Sequence, residues 1–102
     1  MKMRFSAVQV SKIIDQALVY QCACPAQVAT TILELRDLFD YQQKCRADTA
    51  SDQAVHEAIA RATEDAHARL EACLDEVLAL EGWDRETLTM PGQSRKKPVK
   101  SL

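Results

Sequence analysis

Residues 51–82 read SDQAVHEAIARATEDAHARLEACLDEVLALEG, and this stretch decides the fold. Ile59, Ala62, Ala66, Leu70, Cys73, Val77 and Leu80 recur at spacings of three and four, which lines one face of an α-helix. Seven alanines between 54 and 72 raise helix propensity and let a neighbouring helix come close. Thr49 or Ser51 can cap the start, and Asp52 suits the positive end of the helix dipole. Glu57–Arg61 and Asp65–Arg69 are oriented i, i+4 pairs for the outer side. Gly82 is the C′ residue, with Trp83 at C″ packing on Leu78 as a Schellman motif prefers. The reading predicts one long helix over 51–81.

The same logic extends towards the N-terminus. Residues 46–51 form a break, and before it Val28, Ile32, Leu35, Phe39 and Gln42 alternate spacings of four and three, an a/d seam. Asp40 and Lys44 add a favourable i, i+4 pair. Cys22-Ala-Cys24-Pro25 is the next break. Proline favours the first helical position, so Cys24 is the expected N-cap of a second helix over 25–46. Ser6 and Gln9 fit a capping box, and Phe5 with Val10 fits a hydrophobic staple. Val10, Ile13, Ile14, Ala17, Leu18 and Gln21 then share one face of a first helix over 6–21. Beyond Gly82 the pattern fades into one possible turn at Asp84, a Pro91-Gly92 turn and a polar, basic stretch.

The chain has 102 residues, 47% apolar and 27% charged, with a formal charge of −2. Those fractions suit one average globular domain and exclude collagen and wholesale disorder. Four cysteines fall well below the ~8–10% of a disulfide scaffold. No apolar run approaches the ~18–20 residues of a membrane span. Two glycines and three prolines are too few for the turns of an all-β protein. The expectation is all-α: a three-helix antiparallel bundle over 1–92, built on a long hairpin of the second and third helices, with a disordered tail at 93–102. Polar residues at Gln9, Ser11, Lys12 and Asp15 break any signal-like apolar core, so the expected compartment is cytoplasmic and the thiols reduced.

Charge is unevenly spread. Residues 48–86 carry eleven acidic and three basic side chains, whereas Arg95, Lys96, Lys97 and Lys100 make the tail basic. An acidic body does not suit phosphate, so no nucleic-acid partner is expected, and no membrane partner either.

Candidate chemistry begins with the cysteines. In an antiparallel hairpin turning near 48, residues at equal height carry numbers summing to about 97 at one residue per 1.5 Å on each helix. Cys24 then lies level with Cys73, Cys22 sits beside Cys24, and Cys45 is left roughly 30 Å away. Cys22, Cys24 and Cys73 could form a thiolate centre for a soft metal such as zinc, or a redox pair. Against this, free cysteine is often simply a small core residue, and no C-x-x-C is present. His56 and His67 lie three turns apart, ~16 Å along the axis, too far to share a metal. Both read as seam residues. Glu64 and His67 give the Glu-x-x-His spacing of a carboxylate di-iron bundle once only, and Glu57, Glu64, Asp65, Glu71, Asp75 and Glu76 read as a solvated outer side. Leu38, Tyr41 and Cys45 form a second apolar strip that calls for another helix, from a second copy or a partner. No phosphate loop and no nucleophile–base–orienter set can be assembled. The expected function is non-enzymatic: a helical protein without cofactor, acting through protein–protein interaction as a homodimer or accessory subunit. The rival is the thiolate metal or redox protein.

Overall fold

Three helices form close to where the sequence predicts them. The computed structural model describes residues 1–19 and 23–91, and within these it is all-helical apart from turns and one isolated bridge, Asp84–Thr89. α1 spans Ala7–Leu18, α2 Cys24–Lys44 and α3 Ala50–Leu80. The expected tail at 93–102 lies outside the described residues, as do 20–22. No helix among the described residues is long and apolar enough to cross a membrane.

The end signals work as local chemistry. Gln9 N–H donates to Ser6 Oγ at 3.1 Å and Ser6 N–H to Gln9 Oε1 at 2.8 Å, completing the capping box. Phe5 and Val10 are both fully buried, as a staple pair should be. Thr49 caps α3 by accepting from Asp52 N–H at 3.0 Å. At the far end Gly82 adopts φ 75°, Trp83 N–H bonds Leu78 C=O at 2.9 Å and Gly82 N–H bonds Ala79 C=O at 3.1 Å. These are the two hydrogen bonds of a Schellman motif, and they need the left-handed residue that glycine supplies. α2 begins one residue earlier than expected. Ala23 occupies the cap, without a side-chain bond, and Cys24 is already helical. Proline is tolerated throughout the first turn, where its missing N–H has no partner to lose.

α2 packs against both α1 and α3. The core joins Val10, Ile13 and Ala17 of α1 to Ala26, Ala29 and Ile32 of α2 and to Leu74 and Leu78 of α3. It therefore uses the N-terminal half of α2 and the C-terminal half of α3. The segment after α3 belongs to it as well. Asp84 Oδ1 accepts the N–H groups of Glu86 and Thr87, Leu88 turns through φ 57°, and Trp83, Leu88 and Met90 are buried.

The inward face of α3 is not the predicted one. Thr63, His67, Glu71, Leu74 and Leu78 are the buried residues. Ala62 and Leu80 are exposed, and Ile59, Ala66, Leu70, Cys73 and Val77 only half-buried. At 3.6 residues per turn the two stripes lie about a quarter turn apart. The seam of α2 is corrected in the same sense: Ile32 and Gln42 are buried, but so are Ala26, Ala29 and Arg36, while Val28, Leu35 and Phe39 remain half-buried. Leu18, expected inside, is 55% exposed.

Candidate functional site: a buried polar centre and an open helical face

Glu71 was expected among the solvated carboxylates and is instead 2% exposed. Its Oε2 accepts Arg4 N–H at 2.7 Å, Phe5 N–H at 3.0 Å and Arg36 Nη2 at 3.2 Å. Arg36 Nη2 also donates to Phe5 C=O at 2.6 Å, and Arg36 Nε donates to His67 Nε2 at 3.0 Å. With Nε2 accepting, the proton of neutral His67 belongs on Nδ1. That nitrogen stands 3.6 Å from Glu71 Oε1, too far for a hydrogen bond. Among the described residues, His67 Nδ1 and Arg36 Nη1 are buried without a hydrogen-bond partner.

Burial pushes the His67 pKa below its ordinary 6.5; the Glu71 carboxylate pulls the other way, and Arg36 and the chain's amino group reinforce the depression. The centre thus pairs a guanidinium with a carboxylate beside an imidazole whose charged form burial disfavours. Its work is mechanical: it fastens residues 4 and 5 to α2 and α3 at once. Arg4 adds a bond to Asp75 at 3.1 Å, Arg85 another at 2.6 Å, and the Arg85 guanidinium lies 4.1 Å from the centroid of the Phe5 ring. Burial raises the Asp75 pKa, but the hydrogen bonds and charges of Arg85 and Arg4 outweigh it and hold the carboxyl below 3.8.

A second feature is an uncovered face. Phe5 C=O meets Arg36, which places that point of the N-terminal segment beside the middle of α2. Further along α2 the one buried residue is Gln42, and earlier than His67 on α3 the one buried residue is Thr63. Gln42 Oε1 and His56 Nδ1 join the two helices there at 2.6 Å. Around this thin contact Leu38, Tyr41 and Val55 are 41%, 63% and 53% exposed, and Cys45 is half-buried. A shallow depression of about 260 Å³ at the turn is lined by Gln42, Cys45, Gln53 and His56 among others.

The structure places the sequence candidates as follows. Cys24 is exposed, Cys45 and Cys73 are half-buried, and Cys22 lies outside the described residues. Among the described residues no group of three His, Cys, Asp or Glu side chains is placed to hold a metal ion. His56 and His67 do share one side of α3, and that side is turned to α2. Arg36 and Glu71 are the residues that sequence reasoning missed. The signal was there: His67 and Glu71 fall on the same stripe as Leu74 and Leu78 at helical spacing. Comparison with protein-family models, curated proteins and solved structures found no match to this chain.

Proposed function

We propose that this chain is a non-enzymatic, cytoplasmic binding module. In this reading α2 and α3 form an antiparallel hairpin, and the face of the hairpin turned away from the N-terminal segment docks a further helix, from a second copy or from a larger protein that the chain serves as an accessory subunit. The carrying observation is the exposure of Leu38, Tyr41 and Val55 on the stretch where burial between α2 and α3 falls to Gln42 and Thr63. Apolar side chains gathered in one region favour an interaction site, whereas scattered ones need no explanation. The polar centre supports the same division of labour, because its charges are spent on holding the N-terminal segment.

Sedimentation equilibrium tests the reading. At high micromolar concentration the chain should weigh more than its 11.4 kDa. Leu38→Glu should weaken association tenfold or more, since a charge at an apolar contact costs at least about 1.4 kcal/mol per partner, while leaving the helical circular dichroism unchanged. A clean monomer would refute self-association.

A further inference from the structure

We infer that the partner is a second copy of this chain, seated antiparallel along α3. This deepens the binding reading above and rests on it. The stripe that sequence periodicity marks as a core face, Ile59, Ala62, Ala66, Leu70, Cys73, Val77 and Leu80, is the one that the fold leaves on the flank of α3, and Val55 extends it by one turn. Its two ends are open, with Val55 53% and Leu80 79% exposed. Its spacings from Ile59 to Leu80 are three or four and average about 3.5 residues, the repeat that keeps a seam facing a partner helix. It is ~37 Å long at 1.5 Å per residue. Such a stripe fits a long helix, and the molecule's own long helix is α3, with 31 residues.

The stripe complements itself when reversed. With a two-fold axis passing between His67 and Ala68, Val55 lies level with Leu80 of the second copy. Ala62 then lies level with Cys73, and Ala66 comes within one residue of the level of Leu70, about 1.5 Å along the axis, so each alanine meets a larger side chain and the helices approach closely. The charges beside the stripe agree. Asp65 and Arg69 are exposed, and no ion pair engages either among the described residues. Reversal sets Asp65 of each copy beside Arg69 of the other, twice by symmetry. A parallel arrangement would stack Asp65 on Asp65 and Arg69 on Arg69, which repels.

Thiol cross-linking of the full chain tests the register. Cys22, Cys24 and Cys45 are replaced by serine, Cys73 is kept, and Ala62→Cys is added. Within one helix positions 62 and 73 stand ~16 Å apart, beyond the reach of a disulfide. Mild oxidation should convert most of the Ala62→Cys protein to a covalent dimer whose linked peptides contain position 62 and Cys73. The parent carrying Cys73 alone should stay uncross-linked. Asp65→Arg should weaken the dimer at least tenfold, and adding Arg69→Asp should restore it. Cross-linking of Cys73 to Cys73 in the parent would overturn the antiparallel register. A dimer by sedimentation that links neither pair would centre the contact on α2, at Leu38 and Tyr41, rather than along α3, sinking this inference and sparing the binding reading. A monomer would refute the second copy altogether.

Discussion

Replacing Glu71 by alanine should destabilise the fold by about 3–5 kcal/mol, the cost of leaving a buried charge without its partner. That is a large share of the roughly 5–15 kcal/mol that holds a small domain together. The loss has three parts. The Arg36 guanidinium, 9% exposed, loses the one carboxylate that pairs with it among the described residues. The amides of Arg4 and Phe5 lose their acceptor. The vacated space adjoins Phe5, which is fully buried. Urea denaturation should show a lower midpoint with little change in slope. Glu64→Ala, one pair of turns away and exposed, should stay within ~0.5 kcal/mol. Arg36→Met combined with Glu71→Ala should cost less than the two single changes together, since each removes the other's unpaired charge. A Glu71→Ala protein as stable as its parent would show that the centre is ornamental.

Mild acid should weaken the fold through His67. Its pKa is below 6.5 in the folded chain and returns to 6.5 on unfolding. Between the folded value and 6.5 the unfolded chain binds the extra proton, so stability rises with pH in that window. The contribution is therefore complete above 6.5 and is lost as pH falls towards the folded value, at up to about 1.4 kcal/mol per pH unit. Structurally, a protonated ring has no lone pair left for Arg36 Nε, and it adds a positive charge beside Arg36. His67→Gln should flatten the dependence of the melting temperature on pH below 6.5. A parent melting temperature that is level across that window would remove the argument. Asp75 acts lower on the scale: its pKa is depressed below 3.8, so its contribution is present above that value and fades as pH falls through the folded one.

Much of the fold was legible because helix ends are local chemistry. Ser6 with Gln9, Thr49 with Asp52, and Gly82 with Trp83 act within a few residues, and the structure shows those bonds. The inward face of α3 was misread for a different reason. Periodicity finds an apolar stripe, but cannot say whether it meets its own chain or another. Glu71 looked like a surface residue and His67 like a seam residue because a lone polar side chain carries no sign of its partner, which here is Arg36, 31 residues from His67. Leu88 and Met90 were missed because two apolar residues in a loop have no period. The cysteine candidates rested on hairpin height, which gives level but not direction, and Cys24 faces solvent.

The Glu71 tie also orders the events of folding. It joins residue 71 to Arg4 and Phe5 across 67 and 66 positions, whereas Gln42 and His56 meet across 14. Closing a longer loop costs more chain entropy before any bond rewards it. The short-range pairing of α2 with α3 is thus expected to come first and the N-terminal strap last. In a chevron experiment Glu71→Ala should speed unfolding by most of its destabilisation and leave refolding nearly unchanged; slower refolding would reverse the order. During synthesis the consequence is an inversion. Arg4 and Phe5 are made well before α3, yet the carboxylates that hold them do not exist until residues 71–75 have followed, so the strap is the part that must wait.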